Sequence, residues 1–187
     1  MLILDLGSGS PRHKLKGELL GLSYAGDYVA LDSCIDYKPF VLGSIYNLPF
    51  RDGCADIVIC KDVFEHLANP FVAVAEISRV LKKGGVCHLF APFLSGYHAA
   101  GQRYEDYYRY TRSGLRYLFA EFEEIFIKQT IGYLEACFWM SPMCNLPERL
   151  RYFIVGILSR LDKHIHTESV GGWYGLFRKY DQEKQAA

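Results

Sequence analysis

The chain opens on an apolar run, Leu2-Ile3-Leu4, that ends in Asp5 and passes through Gly7-Ser8-Gly9. That pattern predicts a short buried strand and a glycine turn. Ser10-Pro11, a hydroxyl cap followed by proline at the first helical position, then predicts a helix to about Leu22, stopping before Gly26. Tyr28-Val29-Ala30-Leu31, closing in Asp32, reads as the second strand, Phe40 to Gly43 as the third and Ala55 to Cys60 as the fourth. Asn69 and Pro70 start the best-specified helix, in which Phe71, Val74, Ile77, Val80 and Leu81 keep helical period. Lys82-Lys83 suit its negative end, Gly84-Gly85 stop it, and Val86 to Phe90 is the fifth strand.

The second half reads differently. Residues 94–113 are polar and tyrosine-rich, a loop, and Thr111 caps a helix through Phe119. Glu124 to Gln129 and Trp173 to Tyr180 read as strands. Between them, Asn145-Leu146-Pro147 starts a helix with Leu150, Phe153, Ile154, Ile157, Leu158 and Leu161 on one stripe, read here as core. Nearly continuous apolar strands alternating with helices predict a parallel sheet covered on both faces. The expected fold is α/β: a doubly wound, mostly parallel Rossmann-like sheet in three α/β/α layers, with an antiparallel C-terminal edge strand. Residues 1–187 read as one domain, with 133–170 a helical insertion and the tail after Tyr180 loose. Right-handed crossovers bring the strand ends Asp5, Asp32, Gly43-Ser44, Cys60-Lys61 and Ala91-Pro92 to one rim, where ligands of open α/β sheets bind.

Composition removes several function classes. Lys+Arg and Asp+Glu are 21 each, so no basic footprint argues for nucleic acid or an anionic membrane. No apolar run approaches the roughly 18 residues of a membrane span, and Asp5 interrupts any signal-peptide pattern. The six cysteines form no C-x-x-C pair, which predicts reduced thiols in a cytoplasmic protein.

The glycine turn carries the candidate chemistry. Without a β-carbon, Gly7 and Gly9 let the chain turn sharply and let a ligand press on the backbone. The dinucleotide pattern G-x-G-x-x-G needs glycine where Arg12 stands, which opposes a nicotinamide-dependent oxidoreductase. No G-K-[ST] follows, which excludes a P-loop. An acid closing the second strand, Asp32, can accept two charge-assisted hydrogen bonds from ribose hydroxyls. Ser44-Ile45 can bracket an adenine by polar edge and apolar face.

Six segments in register resemble the class I S-adenosylmethionine (SAM)-dependent methyltransferases, of the methyltransferase type 11 kind. They are Leu4-Asp5-Leu6-Gly7-Ser8-Gly9, Tyr28 to Asp32, Gly43 to Phe50 with Asp56-Ile57-Val58, Asp62 to Leu67, Arg79 to Gly85, and Asp106 to Thr111. The resemblance covers about residues 1–130. Ser44, where the family usually has Asp, and Pro11, at the family's third glycine, depart from it. It implies SAM as cofactor, held by Asp5, Gly7, Ser8, Gly9, Asp32, Ser33, Ser44, Ile45, Cys60, Lys61 and His66. Asp5 holds the turn or reaches the ligand's amino group, Lys61 contributes backbone, and His66 either packs on the next helix or acts directly.

The acceptor would face the rim after strand five, where His98, Glu105, Asp106, Tyr107, Arg109 and Tyr110 are candidates. His98 as base and Tyr107 are the catalytic choices. Phe138, Trp139, Met140 and Met143 are expected to cap an acceptor pocket. The acceptor expected is a small molecule or a saccharide- or lipid-linked intermediate. The helices usual for the family before strand one are absent, so either the reading frame is truncated, or the C-terminal excursion, a homodimer or a partner subunit is expected to cover the site. A non-catalytic partner subunit with the SAM fold is the alternative.

Overall fold

The computed structural model describes residues 1–9, 18–19, 22–23, 26–101 and 103–181. β1 (Leu2–Leu6) precedes a short antiparallel pair, β2 (Glu18–Leu19) and β3 (Leu22–Ser23). Most of the helix expected from Ser10-Pro11, with Arg12, lies outside the described residues. Its expected end does not hold, because Leu19 pairs with Leu22 across a ladder. Glycines at 17 and 21 make this stretch a poor helix.

β4 (Asp27–Asp32), β5 (Val41–Leu42), β6 (Ala55–Lys61) and β7 (Leu81–Pro92) complete a parallel set with β1. β8 (Phe122–Gln129) and β9 (Gly172–Lys179) finish a seven-stranded sheet in the order β5-β4-β1-β6-β7-β9-β8. β9 runs antiparallel to both neighbours. The antiparallel strand expected near the C-terminal edge is present, one place in from it, with β8 outermost. Register puts Leu6 beside Leu31, so the glycine turn emerges next to Asp32.

The helices are α1 (Pro70–Val80), α2 (Arg112–Leu118), α3 (Tyr133–Met140) and α4 (Glu148–Asp162). The first helix ends earlier than its period predicts. Leu81 pairs with Ala55, and the Lys82–Gly85 stretch bulges from the ladder before Val86 meets Ile57. Gly84 takes φ +73 there, a left-handed turn that glycine tolerates. α1 and α2 bury Ala73, Val74, Ile77, Val80, Leu115 and Leu118 with Leu4, Leu6, Val58 and Leu89 of the sheet. Ile3, Ile57 and Ile59 form a separate cluster with Tyr28 and Val86, as alternation along a strand requires.

Arg79 fixes the loop that leads back from the rim. Its guanidinium donates to the carbonyls of Leu48 at 2.9 Å and Phe50 at 2.8 Å, and to Glu76 Oε1 at 2.7 Å. Glu76 accepts in turn from the Leu48 amide at 2.7 Å. One ion pair thus clamps α1 to residues 48–50, just after the segment Ser44–Ile45.

The stripe on α4 is a correction. Leu150, Phe153, Ile157 and Leu161 are exposed rather than core: α4 packs on α3, and that contact leaves these side chains uncovered. The join is polar: Asp162 accepts from the amides of Leu134 at 2.9 Å and Glu135 at 3.1 Å, capping the start of α3. The expected tail after Tyr180 lies outside the described residues beyond Asp181.

His88 on β7 is fully buried, and burial pushes its imidazole down to about 4. In the unfolded chain the ring titrates near 6.5. Protonation therefore favours unfolding, and stability held above pH 6.5 is lost as pH falls toward 4. His88→Phe is expected to remove about 3 kcal/mol of the stability lost across that window. Urea midpoints of both proteins at pH 7 and pH 4.5 check it; parallel pH slopes would contradict it.

Candidate functional site

The turn after β1 is held by the neighbouring strand. The amides of Gly7 and Ser8 donate to the carbonyl of Leu31 at 2.8 and 3.1 Å. Gly7 and Gly9 take φ +66 and +59, the left-handed region. A β-carbon on Gly7 would lie 2.5 Å from Val63 Cγ2, whereas one on Gly9 would meet nothing within 4 Å. Gly7 is therefore required by packing and Gly9 by curvature. The face over Gly9 is open.

Asp32 closes the turn. Its Oδ2 accepts from the amide of Gly9 and its Oδ1 from that of Cys34, both at 2.8 Å. Each oxygen keeps a second lone pair for a ligand hydroxyl. Asp5 is buried, 1% exposed, and accepts from the Tyr28 hydroxyl, whose own ionisation burial suppresses. Asp5 thus braces β1 against β4 from beneath.

A cavity of about 870 Å³ opens at these strand ends, a size typical of ligand sites. Gly7, Ser8, Gly9, Asp32, Ser33, Ser44, Ile45, Lys61 and His66 all line it, as do His98 and Tyr107. Two expected residues do not. Asp5 points into the sheet, and Cys60 is fully buried in the core cluster, because an inward strand position faces helix α1 rather than the rim. Phe138, Trp139, Met140 and Met143 are also absent from the walls; the last three lie on the exposed surface of the helical insertion.

The roof is the loop between β7 and α2, and it is tightly made. Asp106 holds Arg109 through two oxygens, at 2.5 and 2.7 Å, and Arg109 also donates to the carbonyls of Ser95 and Gly96. That pairing holds the Asp106 carboxyl well below the usual range. The amides of Tyr107 and Tyr108 donate to the carbonyl of Glu65, and the Tyr110 hydroxyl to that of Phe64. Asp106, Arg109 and Tyr110 therefore build the roof rather than face a ligand. Arg103 crosses the mouth to Asp36 at 3.2 Å and lies over the Tyr37 ring.

Sequence reasoning missed Tyr37, Tyr46, Arg103 and Tyr104 in the walls, and Glu65 behind them. Glu65 is fully buried in the 3-10 turn Phe64–His66, and burial pushes its carboxyl up to about 8. Burial also lowers His66, whose Nδ1 lies 2.6 Å from the carbonyl of Glu105. The signal for Glu65 was present in Phe64-Glu65-His66, an acid between an aromatic and an imidazole, but sequence does not show which way it points.

Residues 4–89 match the family described as "Methyltransferase domain". An uncharacterized methyltransferase of Schizosaccharomyces pombe is 36% identical over 115 residues, covering 50% of this chain and 41% of that protein. The chain spans less than half the length of the curated relatives it matches. Among solved structures, the Haloferax volcanii chain in complex with the Trm112 methyltransferase activator superposes with TM-score 0.64 at 18% identity, covering 96% of this chain and 83% of that one. A SAM-dependent methyltransferase from Archaeoglobus fulgidus gives TM-score 0.61 at 12% identity, covering 95% and 86%. Residues 4–89 thus resemble a methyltransferase domain, and the chain shares the fold of these solved structures.

Alanine at Gly9 is expected to cost about 1–2 kcal/mol, the strain of a left-handed residue. Gly7→Ala should cost distinctly more, because Val63 must also move, and adding Val63→Ala should recover part of the difference. Equal losses at both glycines in thermal unfolding would contradict the packing account.

Proposed function

We propose that the cavity binds SAM and that the chain transfers its methyl group to an acceptor that is a small molecule or a saccharide- or lipid-linked intermediate. The observation that carries this is Asp32: a carboxylate at a strand end, tied to Gly9 beneath an open backbone surface. The match of residues 4–89 to a methyltransferase family supports the same cofactor.

When bound, SAM would supply a methyl group activated by its sulfonium. The protein's share is alignment. Asp32 holds ribose hydroxyls through its spare lone pairs, with Ser33 beside it. Ser44 and Ile45, polar edge and apolar face, border an adenine. The glycine turn and Ser8 present backbone to the methionine part, and Lys61 lines the cavity at the end of β6. His98 and Tyr107 form the acceptor end beneath the roof. Asp5 and Cys60 serve by packing below the cradle. The compartment proposed is the cytoplasm, where the described cysteines, none of them in a disulfide, would stay reduced.

A partner subunit is the second reading. The Haloferax volcanii neighbour was solved with an activator, and this chain exposes the apolar stripe on α4.

S-adenosylhomocysteine is the probe. At about a hundred times its Kd it adds about 2.7 kcal/mol to stability, a Tm rise of roughly 5–10 °C for a domain of this size. Asp32→Asn should abolish that rise, while His98→Ala and Tyr107→Phe should keep it. A wild-type chain that shows no shift at saturating probe would overturn cofactor binding by the chain alone.

A further inference from the structure

Glu65, His66 and His98 converge at the cavity in a way that methyl transfer does not itself require. The Glu65 side chain is fully buried, and among the described residues neither of its carboxylate oxygens has a hydrogen-bond partner beyond its own backbone amide. Buried polar atoms are almost always satisfied, so two on one carboxylate point to something that completes them. Facing Oε1 are two ring nitrogens, Nε2 of His66 at 3.8 Å and Nε2 of His98 at 3.7 Å.

The other nitrogen of each ring is already committed. Nδ1 of His66 lies 2.6 Å from the carbonyl of Glu105, and Nδ1 of His98 lies 3.0 Å from that of Gly96. A carbonyl only accepts, so these contacts suit the tautomer with its proton on Nδ1. In that tautomer each ring turns an Nε2 lone pair toward the Glu65 oxygen. A buried acid with no outside partner resists ionising, and a cation placed between it and the two Nε2 atoms would satisfy all three groups at once. An Nδ1–H anchored on a backbone carbonyl is also how metal-binding histidines are oriented.

The spacing suits an ion. One ligand atom from each of the three residues lies within 4.8 Å of the others. Around zinc, nitrogen and oxygen ligands at 2.0–2.1 Å sit about 3.3 Å apart, so side-chain rotation suffices to close the set. The surrounding charges leave room for a cation. Asp106 sits 3.6 Å from His98 Nδ1, and Asp62 acts on Glu65 through space. Arg109, the cation nearby, is engaged by Asp106 through both carboxylate oxygens, although its Nη2 lies 3.4 Å from His98 Nδ1. Tyr104, its ring tilted against that of His66 with centroids 4.3 Å apart, restrains the His66 plane.

We propose that Glu65, His66 and His98 bind one divalent transition-metal ion of the zinc class. Three protein ligands leave coordination positions open, as in catalytic rather than structural sites. Both histidines line the cavity, so those positions face it. An oxygen donor of the bound acceptor, a hydroxyl or a carboxylate, is the fitting further ligand; this last step rests on the methyl-transfer reading, while metal binding does not. Within that step His98 positions and polarises through the ion rather than acting as a free base.

The test uses the full chain, freed of affinity tag and stripped with chelator, without S-adenosylhomocysteine. Zn²⁺ is titrated against a chromophoric zinc indicator, and Co²⁺ is added separately to read its visible absorption. The expected result is one ion per chain and the intense visible bands of four- or five-coordinate cobalt. His98→Ala and Glu65→Gln should each weaken binding at least about 100-fold, and His164→Ala, remote from the cavity, should leave it unchanged. His66→Ala joins the test should the buried Gln prove destabilising by circular dichroism. Absent binding by the wild type would overturn the proposal, leaving a shared proton between Glu65 and His98. Binding undiminished in the variants would overturn it equally, placing the ion elsewhere. Because metal is read without cofactor, its failure and a failure of SAM binding are separate results.

Discussion

The Asp32 carboxylate joins two strand ends that would otherwise diverge. β1 must turn away from the sheet at Gly7, and β4 must do the same one strand over. The two 2.8 Å bonds from the amides of Gly9 and Cys34 hold both departures in one geometry. Charge-assisted bonds to backbone donors are strong and directional. The cradle depends on this tie, since everything else that lines the cavity is placed relative to the turn.

Above the cradle, a second charged interaction makes the roof. The Asp106–Arg109 pair is largely withdrawn from water and satisfies the carbonyls of Ser95 and Gly96, which fixes the two ends of the loop to one another. The backbone of Glu65 receives the amides of Tyr107 and Tyr108, which locks the roof to the turn after β6. The same turn buries the Glu65 side chain. Folding therefore places an acid and two imidazoles together as a consequence of closing the roof.

Much of the cradle was legible in the sequence because it depends on local chemistry. A glycine after an apolar run, an acid at a strand end and a hydroxyl before an apolar residue announce themselves, and Gly7, Gly9, Asp32, Ser44 and Ile45 all line the cavity. Parity along a strand was harder. Asp5 and Cys60 stand at strand ends near the rim, yet both turn into the protein, Asp5 to Tyr28 and Cys60 into the core. The α4 stripe misled for another reason: helical period shows that a face is apolar, not that anything covers it. α1 overshot because Leu81 fits both a helix face and a strand, and the ladder to Ala55 decides between them. Glu65 stayed hidden because its environment is built by a loop some forty residues downstream.

Amide chemical shifts give the most direct reading of the central claim, that the glycine turn and Asp32 form the cradle of an adenosyl ligand. On addition of S-adenosylhomocysteine to the nitrogen-15-labelled chain, the amides of Ser8, Gly9 and Cys34 are expected to move most, with those of α4 unmoved. Large shifts confined to residues outside the cavity, or none at saturation, would contradict it.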